Sequence, residues 1–119
     1  MINMHELGIV FEIIKTVEKV AIEQKLDEID TIVLEVGELS SIVPMYLEEC
    51  FPAAIDNRAR FKDTKLKIEI ILGEGKCLQC GKVFNVIKNK GYCPECNSFE
   101  KELLSGREFI IKEIHIKDV

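Results

Sequence analysis

The 119-residue chain has no tryptophan, only two histidines and three prolines, and no long apolar run. Its longest stretch without a charge, Leu39 to Leu47, is nine residues, about half of the ~18 that a membrane helix needs. Where a secretory leader would carry its apolar centre, Glu6, Glu12, Lys15, Glu18 and Lys19 interrupt the sequence. No membrane association is expected, and the chain reads as cytoplasmic. Positive charge is also short. Sixteen basic against 21 acidic residues give a net charge of −5 and a pI near 5.1, the wrong sign for a general nucleic-acid binder. Neither a glycine-rich phosphate loop nor a Ser/His/Asp or paired-carboxylate arrangement is present. An enzyme is hard to build from these parts.

With 47% apolar residues, 31% charged and a mean hydropathy of +0.09, the composition is that of a folded domain with a modest core. Leu7, Val10, Ile14, Val17 and Ala21 recur every three or four positions, widened by Ile13 and Val20, opposite Glu12, Lys15, Glu18 and Lys19. That spacing predicts an amphipathic helix to about Lys25, its start marked by an Asn3–Glu6 variant of the capping box. Thr31 to Val36, closed by Gly37, reads as a strand with Ile32, Leu34 and Val36 on one face. Pro44 suits the first turn of a second helix over Met45 to about Ala59, kinked or broken at Pro52. Leu66 to Leu72 predicts a second strand with Leu66, Ile68, Ile70 and Leu72 together. Glu108 to Val119 predicts a third, whose apolar parity changes between Ile111 and Ile114. This last strand is expected to return to the first sheet. Cys50 reads as a small packing residue and His115 as an outward-facing strand residue.

Composition shifts at Gly73-Glu74-Gly75. From there to about Leu104 large apolar residues are few, and some thirty residues of this kind do not hold together by burial alone. Four of the five cysteines lie in this stretch, as Cys77-Leu78-Gln79-Cys80 and Cys93-Pro94-Glu95-Cys96. Two residues between cysteines let a tight turn aim both sulfurs at one ion, and two such turns complete a tetrahedron. Gly81 and Pro94 are suitable turn residues, Val83 to Ile87 a suitable strand and Lys88-Asn89-Lys90-Gly91 a tight turn. Zinc is the expected ion, with iron as the other metal that four thiolates suit. Four protein ligands leave no open position, so the metal is expected to be structural.

His5 stands in the first turn of the first helix, where backbone N–H groups have no intrahelical acceptor. Imidazole and adjacent backbone nitrogens together could form a planar set suited to Ni(II) or Cu(II); a solvated surface histidine is the plainer account. A wider pattern bears on the choice. Met4-His5-Glu6-Leu7, Val36-Gly37-Glu38-Leu39-Ser40, Pro44, the two cysteine pairs and Ser105-Gly106-Arg107-Glu108 resemble the HypA/HybF family of hydrogenase maturation nickel metallochaperones over nearly the whole chain.

The resemblance implies an α+β fold: two helices on a three-stranded sheet with an inserted zinc-ribbon module. Residues 1–72 plus 105–119 would form the nickel-binding α/β domain and 73–104 the zinc ribbon. It implies zinc on Cys77, Cys80, Cys93 and Cys96. Nickel as transferable cargo would be held by His5 through its imidazole and backbone nitrogen, with Met4 and Glu6 contributing backbone nitrogens. Implied partners are the GTPase HypB and the large subunit of [NiFe] hydrogenase, with urease served by some relatives, and the chain as monomer or dimer. In the family pattern the residue matching Met4 comes first, whereas Met1-Ile2-Asn3 precede it here and would make its nitrogen a peptide amide, so that either translation starts at Met4 or the site uses amides and side chains differently. A form starting at Met4 is therefore expected to bind nickel more tightly. The competing reading is a zinc-ribbon adaptor for nucleic acid or protein. Against nucleic acid, residues 73–104 carry five lysines and four glutamates, and zinc on four thiolates adds net negative charge.

Overall fold

The computed structural model describes residues 4–117, so the expected Asn3 cap lies outside the described residues. Helix α1 runs over Met4–Glu23 and buries Val10, Ile13, Ile14, Val17 and Ala21, while Leu7 is half-buried and Val20, expected to widen the stripe, is exposed. Strand β1, Ile29–Gly37, follows. Ile32, Leu34 and Val36 are buried as expected, and so is Val33 on the opposite parity. Such a consecutive run suits the central strand of a sheet, and β1 lies between Lys65–Ile71 (β2) and Phe109–Ile116 (β6).

Helix α2, Pro44–Ile55, starts with its proline in the first turn and buries Leu47, Cys50, Phe51 and Ala54. It is shorter than expected and runs through Pro52 in one piece. Proline there lacks one N–H, and the helix stops three residues later, where Asp56 is extended and Asn57 takes a left-handed φ of 59°. A 3-10 turn at Ala59–Phe61 then buries Phe61. The two helices pack on each other.

Strand β2, Lys65–Ile71, departs from the expected alternation. Leu66 and Ile68 are half-buried, but Ile70 and Leu72 are exposed, and Glu69 and Ile71 take over the inward parity. The change falls where the chain passes between two compact units, one made of Met1–Leu34, Val43–Glu69 and Ile110–Val119, the other of Glu35–Ile42 and Ile70–Phe109. The second unit contains all of residues 73–104 and adds the chain on either side of them together with residues 35–42. Strand β6, Phe109–Ile116, joins the first sheet, as its apolar character requires. Its parity change is visible in burial, with Phe109 and Ile111 and then Ile114 turned inward.

A second sheet has the order β4-β3-β5, from Glu74–Cys77 (β3), Val83–Asn85 (β4) and Lys101–Leu103 (β5). Only the strand around Val83 was expected there. No helix among the described residues is long and apolar enough to cross a membrane.

Candidate metal centre

The second sheet exists to hold two turns. Strand β3 is its centre, antiparallel to β4 with Gly75 opposite Phe84, and to β5 with Lys76 opposite Glu102. Cys77 ends β3 and opens the first turn, in which the Gly81 N–H donates to the Cys77 carbonyl (2.9 Å) and the Cys77 N–H to the Lys82 carbonyl (2.8 Å). The second turn repeats this sixteen residues on. There the Asn97 N–H donates to the Cys93 carbonyl (2.8 Å) and the Cys93 N–H to the Ser98 carbonyl (2.9 Å). Gly81 (φ 79°) and Asn97 (φ 63°) hold equivalent left-handed positions. Glycine meets this need without strain, and asparagine is among the few other residues that tolerate it.

The repeat brings four sulfurs together. The Sγ atoms of Cys77, Cys80, Cys93 and Cys96 all lie within 4.8 Å of one another, with Cys77–Cys96 and Cys80–Cys93 each at 3.5 Å. A tetrahedral zinc with bonds of ~2.3 Å separates its sulfurs by about 3.8 Å, close to this arrangement. Cys77 and Cys93 are buried, Cys80 and Cys96 exposed.

Proton affinities divide the same way. The Cys80 N–H beside Cys77 draws that thiol down to about 6, assisted by the Gln79 N–H and opposed by burial. Burial opposes ionisation of Cys93 too, but the N–H groups of Cys96 and Glu95 outweigh it and its value falls. The Ser98 N–H favours the Cys96 thiolate, yet the Cys77 sulfur, burial and the other two sulfurs push that thiol up to about 12. Cys80 rises as well, the Lys82 N–H being overcome by the Cys93 sulfur and burial. Four thiolates this close repel one another, so without a cation Cys77 and Cys93 ionise more readily than a free thiol and Cys80 and Cys96 less readily. A soft dication removes the conflict by taking all four as ligands. Zinc therefore fits this donor set.

The other expected donors stand together at the start of α1. Met4 and His5 are exposed and Glu6 is only 2% exposed. The Glu6 carboxylate has a role that the sequence did not suggest: its Oε2 accepts the Val43 N–H at 3.2 Å. Val43 is the N-cap of α2 and supplies no side-chain cap of its own, so a residue 37 positions earlier starts the second helix. His115 is exposed on β6 with Nε2 3.0 Å from the Glu113 carboxylate, and Cys50 is buried in α2.

Comparison with known proteins identifies this arrangement. Residues 4–116 match the family described as "Hydrogenase/urease nickel incorporation, metallochaperone, hypA". The chain belongs to the HypA family. Among its relatives, hydrogenase maturation factor HypA of Geobacter metallireducens is 33% identical over 117 residues, covering 96% of this chain and 100% of that protein. HypA of Trichodesmium erythraeum is 35% identical over 116 residues, 98% of each. In fold, the chain resembles the solution structure of the nickel metallochaperone HypA from Helicobacter pylori, with TM-score 0.64 and 23% identity over 93% of this chain and 96% of that one. A second HypA solution structure gives 0.67 at 24% identity, over 97% and 98%. HypA proteins are metallochaperones, not enzymes, and the chain shares its α+β fold with solved HypA structures.

The second left-handed turn residue was missed at the level of sequence. Its signal is the match between Cys77-x2-Cys80-Gly81 and Cys93-x2-Cys96-Asn97, which marks Asn97 rather than Pro94 as the equivalent of Gly81.

Proposed function

We propose that this chain carries Ni(II) at Met4-His5-Glu6 for insertion into a [NiFe] hydrogenase, while zinc on Cys77, Cys80, Cys93 and Cys96 scaffolds its ribbon. In this reading residues 1–72 and 105–119 serve as the nickel domain and 73–104 as the zinc ribbon. HypB and the hydrogenase large subunit, or a urease maturation system, are its partners. Membership of a nickel-incorporation family over residues 4–116 carries the proposal.

The two donor sets also differ as their roles demand. Four thiolates in a closed tetrahedron hold a resident ion tightly. An imidazole with backbone nitrogens, on the exposed first turn of a helix, suits a planar ion that must be taken up and given away. Because the Glu6 carboxylate is engaged at Val43, the backbone nitrogen is the donor assigned to Glu6. Nickel bound there competes with amide protons, so uptake strengthens as pH rises.

The test is a nickel titration of zinc-loaded protein. His5→Ala is expected to abolish nickel binding while zinc stays at one per chain. Full-strength binding by the variant would remove His5 as the anchor. A form that starts at Met4, titrated beside the chain that starts at Met1, is expected to bind nickel more tightly, and equal affinities would refute any gain from freeing the Met4 nitrogen as an amine.

A further inference from the structure

The ribbon's core is completed by residues that lie outside it in sequence. Cys77, Phe84, Val86 and Cys93 form a buried cluster, and the half-buried side chain packed against it is Leu39, from the link between β1 and α2. Leu39 reaches the cluster over Gly73. A Cβ on Gly73 would stand 2.7 Å from Leu39 Cγ, so only glycine admits the leucine at this point.

The residue before it makes a polar contact with the same module. Glu38 Oε1 accepts the Gly73 N–H at 2.7 Å and an Asn85 Nδ2–H at 3.3 Å. Gly73 in turn accepts the Val86 N–H (2.8 Å). Asn85 Oδ1 accepts the Lys88 N–H (2.7 Å), so one carboxylate pins both the entry to β3 and the turn after β4. The backbone of the link is itself held on both sides. The Gly37 N–H donates to the Glu108 carbonyl (2.7 Å), the Glu38 N–H to Ile71 (2.9 Å) and the Leu39 N–H to Gly106 (2.6 Å). These acceptors lie on the chain entering and leaving the ribbon.

We propose that Leu39 and Glu38 are positioning residues for the four-cysteine site. They form a clasp that closes the wall behind Cys77 and Cys93, so the clasp and the bound ion stabilise each other. The buried ligands are the two that share the apolar cluster with Leu39, whereas Cys80 and Cys96 face solvent. Removing Leu39 opens the cluster to water. The ion is then lost faster, although no ligand has changed. Conversely, once the ion is gone the cluster has too little apolar area to hold Leu39.

The proposal rests on the site taking zinc, and the experiment separates the two. Metal analysis of the full chain comes first: absence of zinc sinks both the zinc reading and the clasp. With one zinc per chain, release to a chromophoric chelator is timed for the wild type, Leu39→Ala and Leu39→Met. The alanine variant is expected to lose zinc about tenfold faster, the effect typical of an outer-shell partner. Methionine, close in volume, should restore the rate to within about twofold. Hydrogen exchange of the chelated wild type should show the Leu39 and Gly73 amides losing protection together with Cys77 and Cys93, while α1 keeps its own. Zinc release unchanged in Leu39→Ala, or Leu39 and Gly73 still protected after zinc has gone, would overturn the clasp and leave the zinc reading standing.

Discussion

The helical unit and the ribbon unit are held by different means. In the first, Val10, Ile14, Val17, Ala21, Ile32, Leu34, Leu47 and Phe61 are at most 1% exposed. Burying an aliphatic side chain of this kind contributes about 1.5–3 kcal/mol relative to leaving it exposed. In the second, the buried cluster is Cys77, Phe84, Val86 and Cys93, half of it cysteines that we propose as zinc ligands. Meanwhile Leu78, Tyr92, Phe99 and Leu104 are all about half exposed or more. Those side chains gain little from folding. With zinc bound as proposed, the ribbon substitutes one ion for the core that it lacks, and its stability becomes conditional in a way that the helical unit's is not.

The largest effect should come from breaking the ribbon's side of that contrast. Cys93→Ala removes a buried ligand, and with it most of a binding free energy of about 10 kcal/mol in small zinc peptides. Residues 73–104 are expected to lose protection against hydrogen exchange and proteolysis, and zinc to fall well below one per chain, while the helical circular dichroism persists. If the helices melted with the ribbon, the two units would share one source of stability. The complementary break is Leu47→Ala, which empties a fully buried position of α2. It should cost about 2–5 kcal/mol in the helical unit by denaturant titration, with zinc content unchanged.

The same contrast explains which parts could be read from the sequence. Burial leaves a local signature: the stripe from Leu7 to Ala21 predicted α1, and Thr31 to Val36 predicted β1, because each presents a regular face. Metal ligation leaves one too, in the spacing of Cys77, Cys80, Cys93 and Cys96. Strands β3 and β5 left none. Glu74-Gly75-Lys76 and Lys101-Glu102-Leu103 carry no run of β-branched or large apolar residues, and their extended shape follows from the ladder between them. Contacts between distant positions were equally silent. Glu38 reaches Gly73 and Asn85 across 35 and 47 residues, and Glu6 serves a helix that starts at Pro44. In β2 the alternation of Leu66, Ile68, Ile70 and Leu72 was real as a pattern, but half of it faces solvent because the chain changes unit at Glu69.

A smaller effect sharpens the comparison without breaking either unit. Each unit holds one carboxyl below its usual range, by a different route. In the ribbon unit Glu108 is lowered from 4.5 by backbone donors, first its own N–H and then that of Gly106, against a cost of burial. In the helical unit Glu113 is lowered first by its hydrogen bond to His115, with burial opposing and the charges of His115, Lys112 and Lys67 assisting. Since both folded values lie below the unfolded one, each group adds stability that is in place above pH ~4.5 and lost as pH falls through the folded value. Both groups are exposed, so solvent screens the energies and the titration midpoints are the quantity to measure. Carboxyl-carbon NMR of the zinc-loaded protein is expected to show His115→Ala returning Glu113 toward 4.5 while Glu108 does not move. A Glu113 midpoint unaltered by that change would mean that the side chain of His115 is not what holds it down. A shift of Glu108 would mean that the two units sense one another's charge.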